Sequence, residues 1–288
     1  MTTEANPDPT LPGRLAGLRA AGVNRLSVGV QSFDSRELRT LGRRHTAADV
    51  TATVHAAREA GFDNVSLDLI FGVPGQTEES WTASLDAALA LGVEHLSCYG
   101  LTIEEGTPYA TWFARDPAAF ADDSLEARLY AIAIDRLRAA GFEHYEISNW
   151  ARPARRSQHN QVYWANGAYL GLGVGAASYL EGVRSTHTRD LEVYCAAALA
   201  GEPIPGESER LEGAAQAGEA IMLALRTAEG VDVEAFRERY GIDVVQRYRS
   251  VVDDLVAGGL LAAGERHVRL TERGRFLAND VCGAFLVD

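Results

Sequence analysis

Cysteine is scarce. The 288 residues contain three, Cys98, Cys195 and Cys282, too scattered for a disulfide framework or a C-x-x-C metal cluster. Long apolar runs are missing as well. No stretch approaches the roughly 20 residues of a bilayer-spanning helix, and the N-terminus lacks signal-peptide order. Basic residues are in deficit: 27 Lys and Arg face 40 Asp and Glu, a net charge of −13. That balance argues against nucleic acid or an anionic membrane surface as partner. No Walker, zinc or Ser-His-Asp pattern is found. The expectation is a cytoplasmic protein of ordinary composition, 47% apolar and 23% charged. Its length suits one large domain, or a larger and a smaller one.

What is present centres on Asn64 to Thr77, NVSLDLIFGVPGQT. A short apolar run, stopped by Gly72, Pro74 and Gly75, predicts a strand buried on both faces. Thr77 with Glu78 and Glu79 starts a helix, the threonine as cap and the acids in the first turn. One polar residue, Asp68, interrupts the strand. A buried carboxylate without a partner is costly. Asp68 is therefore either a structural ion pair or cap, or a ligand's hydroxyl acceptor at a parallel strand's carboxyl end.

The same unit recurs along the chain. Residues 1 to 12 are polar and proline-rich, and Leu15 to Ala21 forms a short helix. Arg25 to Gln31 is a strand, followed by helices from Asp34 to about Leu41 and from Ala47 to Ala60. Ser80 to Leu91 is helical, His95 to Leu101 a strand, Ser124 to Ala140 a helix and His144 to Ser148 a further strand. Gly22, Gly61, Gly92 and Gly141 close the helices as C-caps do. Alternating strand and helix predicts a parallel sheet, open or curled, with Gln31, Asp68, Thr102 and Asn149 at its ligand-binding rim.

Beyond Asn149 the pattern stops in a loop dense in Arg, His, aromatic and Gly residues. Gly171, Gly173 and Gly175 form a G-x-G-x-G run, weak as a phosphate loop because the flanking strand and ribose acid are absent. Helices are expected over Leu211 to Leu225, Val233 to Tyr240 and Val244 to Ala257, then a small hairpin and a last helix. This is a winged-helix outline, but one too acidic for DNA.

Two constellations carry chemistry. Glu4, Gln31, Arg43 and Asp68 lie at or past strand ends and suit a nucleoside with an amino-acid tail; the alternative is a terminal Glu4 and surface arginines. His159, Asn160, Tyr163 and Trp164, beside Arg152, Arg155 and Arg156, suit heme. Imidazole ligates iron, aromatic rings pack on a macrocycle and arginines pair with carboxylates. The alternative is a packed loop.

The motifs TEANPDPT, RLSVGVQSFDSRELRTLGRRH, NVSLDLIFGVPGQT, HYEISNWARP, SQHNQVYW and YLGLGVGAAS together resemble the HemW-type heme chaperones. These are radical S-adenosylmethionine (SAM) proteins related to oxygen-independent coproporphyrinogen III oxidase. The resemblance implies an α/β fold: a partial (β/α)6 radical-SAM barrel lacking its first two strands, with a C-terminal winged-helix-like α+β domain. Its parts are residues 1–150, a connecting segment 151–205 with the HNxxYW box, and 206–288. It implies SAM contacts from Glu4, Gln31, Arg43 and Asp68, with Thr102 and Ala177 at a second SAM position. His159, Asn160, Tyr163 and Trp164 are the heme candidates, and heme-accepting proteins, membrane-associated ones included, are the partners. The family's C-x-x-x-C-x-x-C ligands for a [4Fe-4S] cluster are absent. The expectation is therefore an N-terminally truncated heme chaperone that neither holds the cluster nor cleaves SAM. The alternatives are an oxidase-like enzyme of porphyrin biosynthesis and a non-catalytic interaction module.

Overall fold

The computed structural model describes residues 1–286, in two units: Met1–Arg156 and a second beginning at Ser157. In the first unit, strands β1 (Thr2–Ala5), β2 (Arg25–Gln31), β3 (Val65–Phe71) and β4 (His95–Gly100) pair in parallel. Between them run helices α1 (Pro12–Ala20), α2 (Ser35–Thr40), α3 (Ala47–Glu59) and α4 (Glu78–Ala90). Their starts follow local chemistry. Asp34, Thr46 and Thr77 each accept backbone N–H groups as N-caps, and Thr46 and Thr77 complete capping boxes. After β4 come α5 (Pro108–Arg115) and α6 (Asp123–Ala139).

The end of the sheet departs from the all-parallel expectation. β5 (Glu143–Glu146) turns into β6 (Asn149–Ala151), and the strand order is β1-β2-β3-β4-β6-β5. β6 lies antiparallel to both β4 and β5. Asn149 is therefore not a polar tip at a parallel strand's carboxyl end. It begins a return strand, opposite Ser97 and Glu146.

β3 is buried or half-buried on both faces, and one of the two faces is largely polar. Leu26, Val28, Val30, Leu67, Leu69, Phe71, Leu96 and Cys98 fall on one side and pack in the core with Leu15, Val50, Val54, Trp81, Leu85 and Leu129. Trp81 Nε1 donates to the Leu129 carbonyl at 2.8 Å, fastening α4 to α6. Alternate positions on β2, β3 and β4 are Arg25, Ser27, Gly29; Ser66, Asp68; and His95, Ser97, Tyr99. Period two places them all on the opposite face.

In the second unit, the segment expected to be an irregular loop opens with a helix, α7 (Gln158–Trp164). An antiparallel sheet follows, β7 (Ala177–Leu180), β8 (Val183–His187) and β9 (Gly206–Arg210), with α8 (Leu191–Ala200) between β8 and β9. α9 (Gly213–Leu225), α10 (Val233–Tyr240), α11 (Val244–Arg247) and α12 (Arg249–Ala257) match the expected helical stretch, broken at Tyr248. The sheet β10 (Val231–Asp232), β12 (His267–Leu270) and β11 (Leu261–Ala263) lies beside them. Two short helices, α13 (Glu272–Phe276) and α14 (Ala278–Gly283), replace the single last one.

Candidate functional site

Register builds a polar layer across the first unit's sheet. Glu4 pairs with Ser27, Ser27 with Ser66, and Ser66 with His95. In the next layer Gly29 meets Asp68, Asp68 meets Ser97, and Ser97 meets Asn149. Ser27, Ser66, His95, Ser97 and Asn149 are buried, so each polar group needs a partner. His95 Nδ1 lies 2.7 Å from Ser66 Oγ and Nε2 lies 2.8 Å from the Tyr145 hydroxyl. Burial, and then the Arg25 charge, push this imidazole down to about 3. It is a neutral bridge at any ordinary pH.

Asp68 sits in the middle of this face. Ser27 Oγ lies 3.2 Å from each of its carboxylate oxygens. Burial pushes the Asp68 carboxyl above the usual carboxylate range, opposed by hydrogen bonds from Ser97 and Ser27 and by Arg25. With no ion pair among the described residues, Asp68 is a strong acceptor whose capacity two hydroxyls only partly fill.

The structure gathers the other expected nucleoside residues at the ends of β1 and β2. Gln31 closes β2 at a φ of 68°, a left-handed conformation that ordinarily favours glycine. The pairing of β2 with β3 shifts register there. The turn folds Gln31 Nε2 over Gly29, to 3.0 Å from where a Cβ would stand. Arg43 Nη1 donates to Asn6 Oδ1 at 3.1 Å, and Asn6 crowds the same Gly29. Glu4 is exposed on β1. Thr102 lies past β4, exposed and in no strand.

In the second unit, Ser157 caps α7 through Asn160 N, and its hydroxyl also donates to Asn160 Oδ1 at 3.1 Å. Asn160 is thereby committed to the helix start. His159 is exposed, and its ring nitrogens make no hydrogen bond among the described residues. One turn on, the Tyr163 ring stands edge-on to it, centroids 4.8 Å apart, and Tyr163 meets Tyr169 at 4.6 Å. Trp164 is half-buried at the helix end. Arg239 on α10 clamps that end, donating to the carbonyls of Ala165 at 2.8 Å and Asn166 at 2.5 Å.

One expectation changes here. Arg152, Arg155 and Arg156 are already engaged within the first unit. Arg152 donates to the Ala140 carbonyl and lies over Phe142; Arg155 pairs with Asp63 and Arg156 with Glu143. The Gly171 run does not form a phosphate cradle. A Cβ on Gly171 would sit 2.1 Å from the Ala177 carbonyl, and its N–H is taken by Ser178 Oγ at 2.9 Å. Ala177 itself begins β7, opposite Thr186.

Cys98 and Cys282 are buried, which pushes both thiols up, and Cys195 is exposed. Among the described residues no three His, Cys, Asp or Glu side chains converge in a way that could hold a metal ion. These side chains do not fit a four-iron cluster.

Several residues of the first unit were not singled out from sequence. Arg25, Ser66, His95 and Tyr145 complete the polar face, and the alternation of polar residues in β2, β3 and β4 was the signal for the first three. Glu37 on α2 is also buried. It accepts from Ser32 at 2.6 Å, Ser80 at 2.6 Å and Gln76 at 2.9 Å, and Gln76 in turn accepts from Gly72 N at 2.7 Å. This network shapes the turn after β3.

Comparison with known proteins bears on both units. The family model for the Radical SAM superfamily matches residues 1–88, and that for the HemN C-terminal domain matches residues 211–277. The heme chaperone HemW of Bacillus subtilis (strain 168) is 39% identical over 284 residues, covering 98% of this chain and 75% of that protein. The heme chaperone HemW of Escherichia coli (strain K12) is 32% identical over 296 residues, covering 100% of this chain and 75% of that one. Coproporphyrinogen III oxidase (HemN) from Escherichia coli, a solved structure, aligns at a TM-score of 0.81 with 23% identity, over 99% of this chain and 69% of that one. At that identity the likeness speaks for the fold.

Proposed function

The chain belongs to the HemW heme-chaperone family within the radical SAM superfamily, and from that premise we propose that it binds heme and passes it to acceptor proteins in the cytoplasm, membrane-associated ones included. The single observation that carries this reading is His159. It is an exposed imidazole with unengaged nitrogens, on a helix fixed at its far end and backed edge-on by Tyr163. Neutral imidazole is an iron ligand, and aromatic rings nearby suit a flat macrocycle.

SAM is the second ligand of this reading. Asp68 and Glu4 would accept from ribose hydroxyls or an ammonium, and Gln31 and Arg43 would complete the contact at the ends of β1 and β2, with Thr102 and Ala177 as secondary positions. The half-met Asp68 carboxylate fits such a ligand. When bound with a cluster, SAM supplies radical chemistry in this superfamily; this chain's residues bind and orient only. An oxidase-like activity in porphyrin biosynthesis is the rival reading.

Titration of heme into the 288-residue chain, followed at the Soret band, tests the proposal. Saturable binding with a shifted band is expected. Absence of saturable binding would contradict the chaperone reading.

A further inference from the structure

Arg25 opens β2 on the polar face, two positions before Ser27. Its Nε is buried and meets no hydrogen-bond partner, and its guanidinium forms no ion pair among the described residues. Arginine stays charged inside proteins and carries five N–H donors in a rigid fork, so a buried one normally meets carboxylates, carbonyls or a ligand. The arginines that sequence suggested for ligand carboxylates, Arg152, Arg155 and Arg156, are occupied elsewhere, and Arg43 is bonded to Asn6. Arg25 is the arginine that the polar face leaves unmet.

We propose that Arg25 is the receptor for a carboxylate carried by a bound ligand, at a position on the polar face separate from the acceptor at Asp68. The surroundings select that chemistry. Asp68 and Glu4 lie near enough to act on the Arg25 charge, and two nearby acids disfavour a phosphate dianion while tolerating a monoanion. Two carboxylate oxygens match the guanidinium fork. His95 is held neutral, so it adds no second cation. The Tyr145 hydroxyl, fixed by His95 Nε2, stands among the groups acting on Arg25 and offers a polar contact without charge. A ligand with a carboxylate at one end and hydroxyl or ammonium groups at the other would satisfy Arg25 and Asp68 together.

Two ligand classes present such a carboxylate: a nucleoside with a methionyl tail and a porphyrin propionate. Only the porphyrin source rests on the heme reading above. A buried Arg Nε–H gives its own resonance in a ¹H–¹⁵N spectrum, assigned to Arg25 by its loss in Arg25→Lys. The wild-type 288-residue chain is titrated with sodium propionate and, at matched ionic strength, with sodium chloride. Propionate should move the Arg25 signal saturably and chloride should not. SAM is then compared with decarboxylated SAM, and zinc protoporphyrin with its dimethyl ester. The acid that moves the signal, while its carboxylate-free counterpart leaves it unmoved, identifies the source. Arg25→Met should weaken that acid roughly ten- to a hundredfold while leaving the counterpart's affinity and the circular dichroism unchanged. The proposal is overturned if no carboxylate moves the signal, if the ester or decarboxylated form moves it equally, or if folded Arg25→Met binds the acid like wild type. If Arg25→Met fails to fold, the wild-type spectra decide by themselves.

Discussion

The Tyr145 hydroxyl lies 2.8 Å from Nε2 of the buried His95. With Ser66 on Nδ1, both ring nitrogens are met in the neutral form. The folded imidazole is pushed down to about 3 from 6.5, by burial and then by Arg25, whereas the unfolded chain protonates near its ordinary value. Stability from this group is thus complete above 6.5 and is lost as pH falls toward 3, by up to about 1.4 kcal/mol per pH unit. Urea midpoints measured at pH 7 and pH 5 should fall for wild type and fall less for His95→Gln. Equal slopes would show that His95 is protonated in the fold.

Asp68 predicts the opposite slope. Its carboxyl is raised by burial despite Ser97, Ser27 and Arg25, so ionising it is harder in the folded state. Its contribution therefore declines as pH rises from about 4 through its raised folded value. Asp68→Asn should remove that decline. It should also weaken SAM roughly tenfold or more, the cost of losing a charged acceptor. Calorimetry showing unchanged SAM affinity, with only stability altered, would return Asp68 to a structural role.

Glu37 is buried with three side-chain donors and, among the described residues, no cation bonded to it. Glu37→Ala removes the shared acceptor of Ser32, Ser80 and Gln76 and loosens the turn held through Gly72, at a cost of about 2–3 kcal/mol. Chemical denaturation measures this, and a loss under about 0.5 kcal/mol would mean water replaces the carboxylate without penalty.

Arg239 predicts coupling inside the second unit. Its two carbonyl contacts fix the end of the His159 helix. Arg239→Ala should speed amide exchange at the end of α7 and lower heme affinity several-fold, leaving the Soret position unchanged; Arg239→Lys should restore part of the affinity. Unaltered exchange and affinity would show that α7 holds its place without the clamp.

Sequence carried the first unit well where local rules agree. The span of β2 was legible in full, and Thr46, Thr77 and Asp34 announced their helices through capping. Ile70, apolar on the polar face, disguised the alternation in β3 and with it the partners of Asp68. The hairpin after α6 was hidden because a return strand of three residues, Asn149–Ala151, is too short to show a period. Sheet β7-β8-β9 was missed for a different reason. Every residue of β9 is exposed, so it has no apolar face for a pattern to reveal. Neither the unmet Nε of Arg25 nor the partners of Glu37 could be read from spacing, since both depend on segments far apart in the chain.

The most direct test of the heme reading is a titration of wild type and His159→Ala side by side, followed at the Soret band with circular dichroism as the control for folding. His159 is exposed and makes no hydrogen bond among the described residues, so its removal should leave the fold intact. Wild type should give a saturable low-spin band that His159→Ala loses or shifts, with weaker binding. Identical spectra and affinities would contradict His159 as the iron ligand. His187, whose Nδ1 lies 2.9 Å from the Gly173 carbonyl, would then be the next imidazole to examine.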